Sequence, residues 1–186
     1  MTHYLKALSL ALCVFALVLT GCRDAESGAN ADLVRQIDAV DAALEAGDTE
    51  KLIELSTPDA LLDAMVTTDP SLSAMEADEA KEMVRSMAAM AMAMVEIEDH
   101  DIDSSKITYF TTPSGAEAAR IPTSMTMTAM GQRIISAGDM IAIRRDGEWI
   151  LLNPSDEQTI AMMRSAFPEL EGVEIEPASM VMSDQG

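Results

Sequence analysis

The sequence is short of the residue types on which most binding and catalytic chemistry is built. In 186 residues it has 12 Lys and Arg against 32 Asp and Glu, a formal net charge of -20. Each phosphate contact needs a cation, so this balance argues against nucleic acid as a partner. Charge-driven binding to anionic lipid is disfavoured for the same reason. There are only two cysteines (Cys13, Cys22) and two histidines (His3, His100), and three of these four lie in the first 22 residues; without those residues a zinc site of the Cys/His kind is excluded by count. Aromatics number one Trp, two Tyr and three Phe. No Gly-x-Ser-x-Gly elbow, phosphate loop or dinucleotide fingerprint occurs. What remains is length for one domain with a buried core, 48% hydrophobic residues, and 16 methionines.

The first 21 residues carry one cation, Lys6, no acid, and an apolar run from Ala11 to Leu19. That is the n-region and short h-region of a secretory signal, too short to span a bilayer. Leu19-Thr20-Gly21-Cys22 then resembles the lipobox of bacterial lipoproteins. The resemblance implies cleavage before Cys22, diacylglycerol on its sulfur, acylation of the new amino terminus, and a membrane anchor made of lipid alone. By resemblance to enterobacterial sorting, Arg23 after the lipidated cysteine points to the outer membrane, with the domain facing the periplasm. Cleavage takes Cys13, His3 and Lys6 with the signal, so the mature chain keeps one histidine, has no free thiol, and carries a net charge one unit more negative. Nucleophilic catalysis by a Ser or Cys with a His base is then left with His100 alone.

Residues 22–30 read as the lipidated cysteine and a flexible polar tether. Leu33, Ile37, Val40 and Leu44 lie on one helix face that stops at Gly47. Asp48 is placed to cap a second helix, Thr57-Pro58 to open a third over Asp59 to Met65, and Ser73-Ala-Met-Glu76 to form a capping box for a long helix reaching about Met94. From Val95 the period becomes two, with turns at Pro113-Ser-Gly115, Gly131 and Asp146-Gly147. A last helix is expected from Pro154 to about Phe167, with Ser155 and Gln158 as a second capping box, and an acidic, loosely held tail over 168–186. The expected class is α+β: N-terminal helices packed on one face of a curved antiparallel β-meander, with an additional C-terminal helix. Ile37 to Asp48 and Ile143 to Ile150 (IRRDGEWI) resemble the opening helix and closing hairpin of the nuclear transport factor 2-like superfamily. That resemblance implies a single cone-shaped domain over residues 31–167.

Three groups of residues invite chemistry. Asp99, Asp101 and Asp103 alternate like the first ligands of a calcium loop, but Ser104 and Phe110 stand where that loop needs Gly and Glu, so a solvated strand end or turn is expected. Met83, Met87, Met90 and Met94 share one helix face. They are expected to fill the core or line a plastic apolar groove, with Cu(I) binding as the alternative. Asp139 shares strand parity with Ile135, Ala137, Ile141 and Ile143. Since enzymes of the resembled superfamily carry an acid inside the cone, a buried Asp139 would be their general base, making a small hydrolase or isomerase. Gly138 instead suggests a bulge that turns Asp139 outward. Tyr109 and Trp149 are expected in the core. The preferred reading is a non-enzymatic binding or accessory lipoprotein with no cofactor, no resident metal and no catalytic residue, holding an apolar ligand or protein partner beside the membrane. Cys22→Ala is expected to release the protein from the membrane fraction; a variant that stays in the pellet after a carbonate wash contradicts the lipid anchor.

Overall fold

The computed structural model describes Gly28 and residues 30–184, and the chain divides into two units, residues 1–36 and 37–186. In the first unit the described residues are helical, and Asp32 pairs with Arg35 one turn on. The second unit opens with a helix, α1 over residues 37–46, that ends at Gly47, whose φ of +64° is the left-handed stop that glycine supplies without strain. The second unit holds α2 (Thr49–Ser56), α3 (Asp59–Thr68), α4 (Ala77–Met92), strands β1 (Val95–Ile102), β2 (Thr108–Thr111), β3 (Glu117–Ala129), β4 (Gln132–Arg145) and β5 (Glu148–Leu152), then α5 (Glu157–Ala166) and β6 (Ser179–Asp184). This is the expected α+β class, with a curled antiparallel sheet. Among the described residues no helix is long and apolar enough to cross a membrane.

Helix starts follow local hydrogen bonding more closely than motif. Asp48 caps α2 as expected, accepting the Lys51 N–H at 3.0 Å. The two expected capping boxes do not form. Ser73 lies in a turn, where its hydroxyl donates to the Pro70 carbonyl at 3.2 Å, and α4 begins after Glu76 without a side-chain cap. At α5 the cap is Asp156, accepting the Thr159 N–H at 2.7 Å, because a carboxylate in that position is the stronger acceptor. Thr57 closes α2 by donating to the Ile53 carbonyl, and Pro58 opens α3.

The sheet is built on one long hairpin. β3 and β4 stay in register from Ala118 opposite Ile143 to Ala129 opposite Gln132. Each outer edge of that hairpin is shared by two shorter strands: β1 and β2 lie end to end along β3, β5 and β6 along β4. Hence only β3, β4 and β5 form the expected meander; β1 and β2 do not pair with each other. Between them the chain makes a 3-10 turn (Ser104–Lys106), capped by Asp103, whose own N–H donates to the Pro122 carbonyl at 3.0 Å. Pro122, with no N–H to give, therefore faces the gap between β1 and β2, and a proline becomes tolerable in an interior strand. In β1 the register slips between Ile97 and Asp99, so Glu98 is an extra residue and His100 and Ile102 return to the face of Val95 and Ile97.

Both faces of the sheet are covered, which corrects the one-face expectation. Met140, Ile141, Ala142 and Ile143 are buried in succession. Ile141, Ile143 and Leu152 pack with Met163 and Phe167 of α5 and with Leu170 and Val173 beyond it. On the opposite face α2 lies against β5, and His100 Nε2 meets Asp41 of α1 at 3.1 Å. The segment expected as a loose tail is acidic but structural: Leu170 is fully buried and β6 pairs with β4 from Gln132 opposite Asp184 to Ala137 opposite Ser179. Its apolar Leu170, Val173 and Ile175 pack into the core around Ile141 and Ile143, while Glu171 and Glu174 between them are exposed. Phe167→Ala should cost about 3–5 kcal/mol, as for other buried aromatics. Ending the chain at residue 167 should also lower the urea midpoint strongly. A truncated chain as stable as the whole would show that the C-terminal segment is dispensable.

Candidate functional site

The methionine face of α4 is the surface on which the sequence reading and the structure differ most. Helix α4 has two apolar stripes, and the core takes the smaller-sided one. Ala80 and Val84 are buried against Leu62 of α3 and Leu72, the short side chains letting the two helices approach closely. Flanking cations lock that choice: Lys81 Nζ reaches Asp63 at 2.7 Å and Arg85 reaches Asp59 at 2.9 Å, both on α3. The hydrogen bond to Asp63 raises the Lys81 pKa above its ordinary value. Met83, Met87, Met90 and Met94 are left on the outside, 44%, 46%, 59% and 59% exposed. The core-packing expectation for them is overturned; an apolar surface of four thioethers is what remains. The signal that would have found this was present in the sequence: a second stripe, Ala80, Val84 and Ala88, flanked by the only two cations of the helix.

A groove of about 860 Å³ runs along the neighbouring flank of α4 against α2. Ile53, Pro58 and Ala89 line it together with Glu50, Glu54, Asp59 and Glu82 and with Arg85, which pairs with Asp59 and Glu82, so acids outnumber cations on that flank.

Asp139 lies on the sheet face of Ile141 and Ile143, as its parity predicts, and β4 stays in register through Gly138, so the bulge expected there is absent. Yet Asp139 is exposed, because the core on that face stops short of it. It borders an open cleft of about 470 Å³ with Arg120, Glu174 and Glu176. Arg120 is already engaged, donating to the Glu174 carbonyl at 2.8 Å and stacked 5.1 Å over Phe110. The burial on which a general-base role depended is therefore missing. Gly138 has a different reason to be glycine: a Cβ there would come within 3.0 Å of the Ala178 Cα, where the C-terminal segment crosses β4.

The acidic run Glu98–Asp103 is a strand followed by a turn, as the bland reading expected. Asp99 and Asp101 face away from His100, and Asp103 is taken up by Lys106 at 2.6 Å and by the Ser105 hydroxyl and N–H, which hold its pKa below the usual carboxylate value. Among the described residues no three His, Cys, Asp or Glu side chains gather as a metal site. Trp149 is buried as expected, with Tyr109 tilted against it at 6.4 Å; Tyr109 itself is exposed rather than in the core, because β2 lies at the outer edge of β3, and partial desolvation raises its pKa. Cys22 lies outside the described residues.

Sequence reasoning missed the apolar surface at the far end of the sheet. Met130 is 89% exposed at the tip of the β3–β4 hairpin, and Met180, Val181 and Met182 are exposed on β6, at the sheet edge. No protein-family model, curated protein or solved structure matches the chain.

Glu98 anchors this end of the sheet across three strands. Thr128 Oγ1 donates to it at 2.5 Å and Arg133 Nε at 3.0 Å, and both bonds hold its pKa below the ordinary glutamate value. A carboxylate depressed in the folded state stabilises above its unfolded pKa, and that contribution is lost as pH falls through the folded value. Glu98→Gln should therefore unfold at lower temperature than the parent at pH 7, and the gap should close below about pH 4. An equal gap at pH 7 and pH 3 would contradict the pairing.

Proposed function

We propose that the chain is an exported bacterial lipoprotein, anchored through acylated Cys22 and most simply placed in the outer membrane facing the periplasm. Its folded domain is a non-enzymatic binding or accessory module that holds an apolar ligand or protein partner beside the membrane. Helices followed by a curled antiparallel sheet support the nuclear transport factor 2-like resemblance. The observation that carries the binding reading is the outward methionine face: three flexible apolar side chains exposed on α4 and a fourth, Met94, in the turn that follows it. Water-exposed apolar groups that cluster in one place mark sites of association. Methionine is the side chain best suited to an adaptable contact, because its unbranched thioether repacks against differently shaped partners. The described residues offer a catalytic reading little support, since Asp139 is exposed and the Asp99–Asp103 run is spent on strand and turn.

The same exposed thioethers favour Cu(I) capture as a second reading, because soft sulfur ligands select that ion. Both readings separate from core packing in one experiment. Met87→Ser with Met90→Ser should leave the unfolding midpoint within the range of surface substitutions, about ±0.5 kcal/mol each. The pair should abolish the fluorescence of an apolar reporter dye bound to the native lipoprotein. A large loss of stability would return these residues to the core. Loss of Cu(I) binding, measured against a chromogenic chelator, with dye binding intact would favour the metal.

A further inference from the structure

The exposed methionine face has a length, a border and an extension, and together they select its occupant. From Met83 to Met90 it runs about 10 Å, two helical turns, and Met94 continues it just past the end of α4. That suits another helix lying along it, in the manner of a helix in a groove. Its border is negative. Lys81 is paired with Asp63 of α3, and Arg85, which lines the groove on one flank, is taken up there by Asp59 and Glu82. Glu50 and Glu54 line the same groove, Glu54 meeting Lys51, so carboxylates outnumber cations along that flank. No basic residue stands in the last turn of α4, so the negative end of its dipole is uncompensated beside Met90 and Met94.

The extension is Met130. Val95 pairs with Ala129, so Met94, just before Val95, and Met130, just after Ala129, come to the same corner of the sheet. The chain contains two hairpins turned by two residues at positive φ. One is Asp146-Gly147, with φ of +54° and +89°; the other is Met130-Gly131, with +53° and +79°. Asp, Asn and Gly take the first of these positions at little cost, whereas an apolar unbranched side chain is strained there. The first hairpin follows the rule and the second breaks it, with a side chain that is almost wholly in water. A residue kept against local preference and against hydration points to a use at that place.

We infer that the α4 methionine face, extended by Met130 at the hairpin tip, docks a cationic amphipathic helix of another protein, its apolar side on the methionines and its Lys or Arg side chains on the acidic border. This inference rests on the proposed binding role and names its partner. Charge decides against the other occupants. A second copy of the chain would bring a further net charge of -20 to the same border. A bilayer surface favours helices whose apolar face is flanked by cations, the reverse of α4.

The test uses the acylated lipoprotein in phosphatidylcholine nanodiscs, with empty discs as the blank. Three synthetic helices of about 14 residues, four turns, share one leucine face and carry Lys, Ser or Glu on the other. The Leu/Lys peptide should bind at least tenfold more tightly than Leu/Ser, with Leu/Glu weakest. Met87→Ser with Met90→Ser should weaken the Leu/Lys peptide at least tenfold without moving the unfolding midpoint. Met130→Asn should raise the midpoint, by relieving the turn, while weakening the peptide at least threefold. Leu/Lys binding that survives the methionine replacements is charge attraction alone and overturns the inference. Leu/Ser and Leu/Lys binding equally, both lost in the methionine variants, overturns the cationic partner but leaves the apolar docking role standing. Binding of none of the three overturns both. Unchanged binding by Met130→Asn overturns the extended surface.

Discussion

The backbone ladder between β3 and β4 is the constraint on which the rest of the second unit depends. It is the longest pairing in the sheet, and every other strand is hydrogen-bonded to one of its two outer edges. Because those edges are each shared by two short strands, the hairpin has two ends with different surroundings. At the end of Ile121, Met140 and Ile143, β2 and β5 complete the sheet and side chains are buried on both faces. At the end of Ala129 and Gln132, β1 and β6 complete it and the apolar side chains stay partly in water. Apolar burial stabilises at about 25 cal/mol per Å², so stability is concentrated at the first end. The second is held by polar contacts such as Thr128 and Arg133 on Glu98.

A division of this kind suits a binding protein. One end of the hairpin provides the rigid core, and the other, with α4 leading into β1, presents apolar groups the core does not need. Helix α4 shows how the division arises. A helix can turn only one side inward, and small side chains flanked by cations fitted α3 better than four long thioethers. The methionines face solvent because a better-packed stripe won the interior.

Much of this was legible in the sequence, and the exceptions have physical causes. Periodicity located the helices and strands, and glycine marked the turns at Gly47, Gly131 and Gly147, since each needs a positive φ. Strand parity placed Asp139 on the correct face. Periodicity does not say how far a core extends along a face, so it could not tell that Asp139 lies beyond the apolar cover. Nor does it rank two apolar stripes on one helix, which is why the methionines of α4 were expected inside. The segment after Phe167 was misread because its acids dominate its composition, whereas its fold is decided by Leu170, Val173 and the strand that follows. The exposed Met130 could have been suspected from Met-Gly standing where the other hairpin has Asp-Gly.

Native-state hydrogen exchange, read amide by amide on the intact protein, is the most direct test of the hairpin as the organising element. Amides of the β3–β4 ladder around Ile121 and Met140 to Ile143 should exchange only through global unfolding. Those of α4 and β6 should exchange earlier, through openings that leave the ladder closed. Exchange of the ladder at or before α4 would contradict the account, since the surface that carries the methionines would then be no less anchored than the hairpin said to support it.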